Sequence, residues 1–507
     1  MKSSQRLSDR SLAVAGVMLV ILLFAIDATI VSTAMPTVVG KLGGLELYSW
    51  VFSSYMLTSA LATPLCGKLS DLYGRRRLML IGIGLFMLAS ALCGLARSME
   101  QLIVFRALQG IGGGAIYALS FIIVGFLFPP EQRAKIQGLM SGIWGIASIL
   151  GPIGGGIITE YWNWRWIFFV NVPVSLVAMF LITGGFDESR LEERRKADLK
   201  GGAALTLGLF LLFYALEESR RRSFALDLFL AGLLIAATAA LLLFVRIERR
   251  AEEPILPLDL FHLRFFRISS ALAGISSIGM FGVVAYLPLY VQGVLGGSAA
   301  RAGLVLLLAS LGWTAGSLIA GKAISRLGYR TSCIAGMALM ASGYALFISA
   351  ERLLGMTVVL AIGALIGMGM GIVSITSMVA AQNEAPLSRL GVATSTVMLC
   401  RMIGGAFGIS LMGGVLVSQM LRRLQSLSIK TGETVSDGLA QRLADPQALL
   451  DPSSRASIPE SLLAPLVDIL GRSIWHAFLT GFVVMLLGLG LSFLMARRAA
   501  GQAENRG

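Results

Sequence analysis

The chain alternates long uncharged apolar runs with short segments rich in charged residues. Each run is roughly 20 residues long, the length at which an α-helix crosses the hydrocarbon core of a bilayer. Because a backbone in lipid must satisfy its own hydrogen bonds, such runs are helices, and the ten-residue alternating segments of a membrane barrel do not occur in the sequence. The pattern predicts an all-α polytopic membrane protein with about fourteen spans. Their approximate bounds are 12–35, 46–66, 78–96, 102–127, 136–159, 165–184, 200–218, 225–245, 267–291, 301–321, 332–349, 355–381, 392–417 and 475–496.

The composition agrees with this pattern. Of the 507 residues, 56% are hydrophobic and 14% are charged, whereas a soluble domain carries about 25% charged residues. The net charge is +14, but the polar segments contain no basic patch interleaved with aromatic residues, so nucleic acid is not an expected partner. All four cysteines fall within predicted spans and are interpreted as packed thiols: Cys66, Cys93, Cys333 and Cys400.

The positive charges indicate the orientation in the membrane. An even number of spans places both termini on one side, and the segments predicted on that side hold the larger share of the 42 Lys and Arg residues. The turn 220–222, between spans seven and eight, runs against this rule. The first run, Leu12–Ala34, is longer than the apolar region of a signal peptide and contains Asp27, so it is predicted to be an uncleaved helix. We expect a multi-pass protein of the cytoplasmic (inner) membrane with both termini in the cytoplasm.

A short string occurs twice, about half the chain length apart. GKLSDLYGRRR at Gly67–Arg77 is similar to GKAISRLGYR at Gly321–Arg330, and Arg133 and Arg389 each open a glycine-rich span. Internal duplication is common in transporters. We therefore predict two six-helix halves with spans seven and eight inserted between them. The domains are an N-terminal bundle at 1–184, two linker helices with a cytoplasmic loop at 185–266, and a C-terminal bundle at 267–507 with an extracytoplasmic loop at 418–473 that is too polar to span.

Away from the span ends, two charged residues of the first half fall inside predicted spans, Asp27 in span one and Arg106 in span four. A charge at the centre of a bilayer costs about 2.5–3.5 kcal/mol on insertion scales, so a bystander role is not expected. A carboxylate that faces a shielded cavity can exchange protons, and Asp27 is the intramembrane acid nearest to Arg106 in the predicted fold. We predict that they pair and couple transport to protons. The alternatives are a capped carboxylate and a topogenic arginine, each near the outer edge of its helix.

The loop after span two combines glycines, an acid and a run of arginines. Glycines permit close helix approach and a sharp turn, and arginines at a helix end hold the loop on the cytoplasmic face. The loop therefore predicts a sharp turn and close helix packing at that face, through Gly67, Asp71, Gly74 and Arg75. A purely topogenic charge run is the alternative.

Span five carries glycines along much of its length and a proline that is expected to kink it. Small residues allow the backbones of two membrane helices to touch. We predict a close and pliable contact between the two halves along this helix, and we assign the gating role there to Gly151, Pro152 and Gly155.

Aromatic side chains within the spans are candidates for binding a lipophilic or cationic molecule. They are Tyr55, Tyr117, Trp144, Phe281 and Tyr286. Ordinary packing or lipid contact is the alternative for each of them.

Several strings, taken in order, resemble the motifs of one transporter family. They are AIDATIVSTAMP at Ala25–Pro36, GKLSDLYGRRR at Gly67–Arg77, RALQGIGGGA at Arg106–Ala115, SILGPIGGG at Ser148–Gly156, WNWRWIFFVNVP at Trp162–Pro173, and the segment of Tyr290, Gln292 and Gly296. The chain resembles the drug:proton antiporters with fourteen spans in the major facilitator superfamily, and the resemblance covers nearly its whole length.

The resemblance implies two bundles around a central cavity, with Asp27 and Arg106 in proton coupling and Gln292 among the residues near the substrate. It also implies that the loop after span two gates the conformational change as a latch between the halves, through Gly67, Asp71, Gly74 and Arg75. It implies export of lipophilic drugs or related small molecules, driven by the proton gradient and without a cofactor. A lipid or metabolite exporter, or a proton symporter of the same fold, stays open. The expected partners are the small-molecule substrate and membrane lipid, and a periplasmic adaptor is left undecided.

Other chemistry finds little support in the sequence. GSLIAGKA at Gly316–Ala323 nearly spells a phosphate-binding loop, but it ends in alanine and lies inside a span, so ATP is not the expected energy source. His262 and His476 are too few and too distant for a metal site or a catalytic triad, and an enzyme is not expected. Span ten has no acid and span thirteen contains Arg401, whose role stays open. Dicationic substrates are therefore disfavoured, while neutral lipophiles, monocations and anions remain.

Overall fold

The computed structural model describes residues 2–43, 47–185, 198–221, 227–251, 254–256, 258–350, 355–431 and 460–495. Within these residues the regular structure is helical, and no strand occurs. The α-helices are α1 Lys2–Leu42, α2 Tyr48–Tyr73, α3 Arg75–Leu95, α4 Met99–Leu127, α5 Pro130–Tyr161, α6 Trp166–Phe169, α7 Asn171–Gly185, α8 Leu199–Arg221, α9 Leu228–Glu248, α10 Arg264–Gly293, α11 Ala299–Ser349, α12 Met356–Glu384, α13 Leu390–Thr431 and α14 Glu460–Phe493. Two short 3-10 helices, Leu258–His262 and Leu387–Arg389, precede α10 and α13.

The predicted spans all fall on these helices. In the described part of the chain, twelve helices are long and apolar enough to cross a membrane, judged by length and composition. One of them, Ala300–Ser349, holds two predicted spans, because Gly328 (φ 75°, ψ 173°) leaves the helical region and divides α11. Helix α2 is 26 residues long but carries several Ser and Thr side chains, and it is not among the twelve. The prediction of an all-helical, multi-pass membrane protein is confirmed.

The helices form two bundles with a pair of helices beside them. Helices α1 to α7 contact one another, and α10 to α14 contact one another. Because α6 and α7 together form one span and α11 forms two, each bundle has six. Helices α8 and α9 pack against each other, and α8 also contacts α2 and α13, so the inserted pair lies against both halves. The predicted fold of two six-helix bundles with two additional helices is confirmed.

One apolar cluster joins the two halves in the middle of the molecule. On the side of the first bundle it includes Phe24 and Phe121, and on the side of the second it includes Met378, Val397 and Met398. These five side chains are buried, with at most 7% of their surface exposed. We call this set the central apolar cluster. Since it is built from both bundles, it closes the space between them at this level.

The halves also meet at one end of the molecule, where α2 ends and α13 begins. A Cβ atom on Gly67 would overlap Ser395 Oγ and lie 2.8 Å from the carbonyl oxygen of Gly391. The related glycine of the second half, Gly321, lies equally close to α5, because a Cβ there would be 3.0 Å from the carbonyl oxygen of Ala134. Each copy of the repeated string therefore packs against the other half. We call this end the closed end.

Both copies of the repeat turn at a glycine with positive φ. Gly74 has φ 92° between α2 and α3, and Gly328 has φ 75° inside α11. An L-residue with a side chain is strained in this region, whereas glycine adopts it readily. The shared turn explains why glycine stands at the same place in both strings.

The predicted role of the span-five glycines is partly wrong. Gly151 and Gly155 do not face the second half, because Cβ atoms there would overlap the hydroxyls of Thr29 and Thr33 on α1 of the same bundle. Gly145, one and a half turns earlier, does face the second half, since its Cβ would lie 2.7 Å from Thr314 Oγ1 on α11. The helical period of 3.6 residues turns the two sets to different faces.

The predicted loop at 418–473 is helical at both of its ends. Helix α13 continues to Thr431, and α14 begins at Glu460 with Pro465 inside it. Hydropathy detects the apolar part of a helix, so a polar extension is not visible to it. Residues 432–459 lie outside the described residues.

Candidate functional site

Asp27 lies halfway along α1, and its carboxylate is enclosed by the first bundle. Oδ2 accepts a hydrogen bond of 2.7 Å from Nη1 of Arg106. Oδ1 accepts bonds of 2.9 Å from Nε2 of Gln109 and 3.0 Å from Nδ2 of Asn171. No part of Asp27 and only 1% of Arg106 is exposed. The structure thus brings the two charged residues of the sequence prediction into direct contact, shielded from water.

Arg106 is held by a second set of contacts. Its Nη1 also donates to Oε1 of Gln109 at 2.8 Å, and its Nε donates to the carbonyl oxygen of Val51 at 3.4 Å. The guanidinium lies 4.0 Å from the centre of the Tyr55 ring, a cation–π contact that compensates part of its desolvation. Tyr55 was predicted to bind substrate, but in this conformation its ring is a wall of the ion-pair site and is 3% exposed.

A further layer fixes the amides around Asp27. Nδ2 of Asn171 also donates to Ser90 Oγ at 3.0 Å, and that hydroxyl donates to the carbonyl oxygen of Phe168 at 2.9 Å. Cys93 Sγ donates to Oε1 of Gln109 at 3.5 Å. Helices α3, α4 and α7 therefore each supply a polar group, and the site is a property of the whole bundle. Both carboxylate oxygens of Asp27 therefore accept hydrogen bonds from the first bundle, and the bond from Arg106 joins two charged groups.

Aromatic residues of the first bundle form a second cluster one turn from Asp27 along α1. Phe24 stacks on Tyr117 with ring centres 4.8 Å apart and meets Trp144 edge to face at 5.8 Å. Tyr117 also contacts Phe121 at 5.4 Å. Because Phe24 and Phe121 belong to the central apolar cluster, these rings lie next to the second half. The structure thus brings together Tyr117 and Trp144 of the predicted substrate residues.

The remaining predicted substrate residues lie on α10 of the second bundle. Phe281 packs against α13, where its Cδ2 would lie 2.9 Å from a Cβ on Gly405. The Tyr286 hydroxyl donates to the carbonyl oxygen of Ile409 on the same helix at 2.7 Å. Both contacts are within the second bundle. Gln292 is one residue before the end of α10 and lies far along that helix from Phe281.

At the closed end, Asp71 joins α2 to the start of α13. Its Oδ1 accepts from the backbone N–H of Gly391 and its Oδ2 from that of Val392, both at 3.1 Å. Arg75 donates to Asp71 at 3.1 Å and to the carbonyl oxygen of Leu387 at 3.4 Å. The residues predicted for the loop therefore lie at the contact between the halves. Asp71 is beyond the predicted span 46–66, and burial raises its pKa to about 6, although Arg75 and the two N–H groups act to lower it.

A second set of hydrogen bonds joins the two halves at the closed end and was not predicted from the sequence. Nη1 of Arg133 on α5 donates to Oδ1 of Asn383 at 2.6 Å, and Nε2 of Gln137 donates to Oε1 of Gln382 at 2.7 Å. Gln382 in turn donates to Thr394 Oγ1 at 3.0 Å and to the carbonyl oxygen of Phe121 at 3.3 Å. Both glutamines are buried. Arg133 was noted in the sequence only as the opening residue of its span.

Replacement of Gln382 by Leu is expected to lower stability through Gln137, whose buried amide loses its partner. A buried polar group left unpaired costs about 1–3 kcal/mol, whereas removing both partners is close to neutral. We expect the pair of substitutions Gln137→Leu and Gln382→Leu to recover part of that loss. The measurement is the thermal unfolding of the two single variants and the double variant in detergent. Losses that simply add would show that the two amides are not coupled.

Some residues of the Asp27 site were also missed, for a common reason. Gln109 and Asn171 stand inside the strings RALQG and FFVNVP, which were noted as motifs, but an amide is cheaper to bury than a charge and does not stand out. The spacing of Gln109 could have indicated its role, because it follows Arg106 by one helical turn on the same face of α4. Asn171 begins α7, and its approach to α1 depends on the packing of the whole bundle.

The part of the chain that the structure describes contains no group of three or more His, Cys, Asp or Glu side chains that could hold a metal ion.

Comparison with known proteins gives a consistent result. Residues 17–409 match the family model of the Major Facilitator Superfamily. The chain is 35% identical over 505 residues to multidrug transporter protein MdtP of Bacillus subtilis (strain 168), covering 96% of this chain and 93% of that protein. It is 34% identical over 499 residues to multidrug resistance protein 3 of the same organism, covering 97% and 96%. A solved structure of a double-tryptophan variant of XylE has a similar fold, with a TM-score of 0.62 and 16% identity over 97% of each chain.

Proposed function

Because this chain belongs to the major facilitator superfamily, it is a transporter of small molecules and not an enzyme, and we propose that it is a proton-coupled antiporter that exports lipophilic drugs or related small molecules across the cytoplasmic membrane. The names of its relatives MdtP and multidrug resistance protein 3 support drug efflux. On this proposal, activity in a cell gives resistance to the exported compounds.

The observation that carries proton coupling is the enclosed ion pair of Asp27 and Arg106. Protonation of this buried carboxylate changes its surroundings, because the ion pair with Arg106 at 2.7 Å is lost and the positive charge of Arg106 is left without its partner. A ligand shifts a conformational equilibrium only when it binds the two states unequally. Asp27 therefore drives transport if its affinity for a proton differs between the two states of the halves. The proton gradient is the energy source, and no cofactor is required.

The orientation follows from the charge distribution. With both termini in the cytoplasm, as the positive-inside rule favours, the closed end lies on the cytoplasmic side of the membrane. In this conformation, the contacts of Asp71 and Gln382 between the halves then block passage to the cytoplasm. Release of these contacts opens the inner side. The next step of the cycle would be the uptake of substrate there.

The test is transport by the purified protein in proteoliposomes under an imposed pH gradient. An antiporter accumulates external dye when the vesicle interior is acidic, since protons leave as dye enters, and a protonophore abolishes the accumulation. A panel of neutral, cationic and anionic lipophilic dyes without groups that titrate near neutral pH avoids passive trapping, and protein-free vesicles give the background. Accumulation only with an acidic exterior would indicate a symporter. No accumulation of any dye in either gradient would contradict drug export.

A further inference from the structure

Arg401 is a buried cation in the second half for which the proposed cycle has given no role. It lies on α13 and is 7% exposed. Its Nη2 donates to the carbonyl oxygen of Ser374 on α12 at 3.4 Å, and its Nε is buried without a hydrogen-bond partner among the described residues. Arg106 has a carboxylate, an amide, a carbonyl oxygen and an aromatic ring around it. Arg401 has one long bond to a carbonyl oxygen.

The acidic residues in the helices of the second bundle lie near helix ends, whereas Arg401 lies within α13. Across α10 to α14 the acidic residues are Glu384, the last residue of α12, and Glu460 and Asp468 in the first turns of α14. Asp468 is paired with Arg472 on an exposed surface. Asp27 and Arg106 neutralise each other, and no ion pair to Arg401 occurs among the residues that the structure describes, so its charge has no carboxylate partner there. An uncompensated buried charge is costly, and such residues in membrane helices mark ligand or ion paths.

The position of Arg401 on its helix places it beside the central apolar cluster. Val397 and Met398 belong to the central apolar cluster, and Arg401 follows them by four and three residues, which places it on the same face one turn further from the closed end. A different face of α13 carries Leu399, which packs with Leu205 of α8. Arg401 therefore stands at the border of the central apolar cluster, next to Ser374 of α12.

The same cluster presents aromatic rings from the opposite half. Phe24 is one of its members, and Tyr117 and Trp144 pack against it. The central apolar cluster thus has aromatic rings of the first bundle packed in it and, one turn along α13, a guanidinium whose Nε has no hydrogen-bond partner among the described residues. This combination matches a molecule with an apolar or aromatic body and one negative group.

We propose that Arg401 binds the anionic group of the transported molecule, and that the substrates are lipophilic monoanions, with a carboxylate as the group of best fit. This proposal names the substrate class of the proposed transporter, and it rests on the proposed function because the bound molecule is a substrate only if the protein transports it. A guanidinium presents two parallel N–H groups that match the two oxygens of a carboxylate. Lipophilic cations are disfavoured, because they would enter a low-dielectric space beside a like charge.

The experiment measures equilibrium binding of pyrenebutyrate and of its methyl ester to the full-length protein in nanodiscs. The two probes share the apolar body and differ in the negative charge. We expect the wild-type protein to bind the acid about ten- to a hundredfold more tightly than the ester, as a charge-assisted hydrogen bond predicts. Arg401→Gln should bind both equally, and Arg401→Lys should keep part of the preference. Arg472→Gln, which removes an exposed arginine of the same half, is the matched control and should behave as wild type.

Two results would overturn the proposal. One is a wild-type protein that binds the ester as tightly as the acid, or an Arg401→Gln variant that keeps the preference. The other is a clear loss of thermal stability in Arg401→Gln, since neutralising an uncompensated buried charge should leave stability unchanged or raise it. Neither measurement needs a proton gradient. Binding of the acid through Arg401 without proton-driven export would therefore refute the proposed function and leave this assignment standing.

Discussion

Asp27→Asn is expected to abolish proton-coupled transport while leaving the outline of the site in place. Asparagine has the shape of the carboxylate and can still accept from Gln109 and Asn171, but it cannot gain or lose a charge. The measurement is the proton flux that accompanies substrate addition to proteoliposomes, read with an enclosed pH-sensitive dye. We expect the flux to fall to the level of protein-free vesicles. Substrate binding to the purified variant should persist, since the contacts of Asp27 are to Arg106, Gln109 and Asn171.

The control addresses Arg106, which the substitution leaves as an unpaired buried charge. Breaking a buried ion pair from one side costs about 3–5 kcal/mol, whereas replacing both charges is often neutral. The double variant Asp27→Asn, Arg106→Gln should therefore unfold at a higher temperature than Asp27→Asn and still carry no protons. A folded Asp27→Asn protein with proton flux equal to wild type would exclude Asp27 from coupling. The energy source would then lie in another group.

The pairing of Asp27 with Arg106 was predictable because charges in a membrane are few and expensive. Away from the span ends, the first bundle has one acid and one base within its predicted spans, and the cost of leaving either alone forces them together. The same reasoning gave the spans, since each apolar run must cross the bilayer whatever its neighbours do. Properties that each residue carries by itself are the ones that a sequence reveals most directly.

The predictions that were wrong or missing depend on the direction in which a helix face points. The glycines of α5 were expected at the contact between the halves, but Gly151 and Gly155 pack on Thr29 and Thr33 of α1. Composition shows that a helix can approach a neighbour closely and does not show which neighbour. The Gln137–Gln382 bridge was missed for a related reason, because its partners are far apart in sequence and neither is charged.

The closed end shows that the two repeated strings make different hydrogen bonds despite their similar sequence. Asp71 of the first string bonds to the backbone of α13, but Ser325 stands at the matching place of the second and donates to Lys322 of its own helix at 2.9 Å. On that side Arg133 and Asn383 supply the polar contact between the halves. The helix approach is therefore symmetric, while the hydrogen bonds that hold it are not.

Gly391→Ala is expected to shift the protein away from the state that is closed at this end. A Cβ at Gly391 would overlap the carbonyl oxygen of Gly67 and lie 2.7 Å from both carboxylate oxygens of Asp71. The first obstacle is backbone and cannot rotate away, so α2 and α13 must separate, and the bonds from Asp71 to Gly391 and Val392 are then lost. Hydrogen bonds to a charged group contribute about 1.5–3 kcal/mol each. Loss of these bonds should lower the population of the closed state at least tenfold.

The shift can be measured as a distance between the halves by electron paramagnetic resonance. Spin labels at Gln132 on α5 and Ser325 on α11, both exposed at the closed end, should report a longer distance in Gly391→Ala than in the parent protein. The matched control is Gly84→Ala in α3, where a Cβ meets no atom within 4 Å; its distances should be unchanged. If Gly391→Ala keeps the parent distances, the contact of α2 with α13 does not hold the closed state, and the polar bridge of Arg133 and Gln382 must hold it alone.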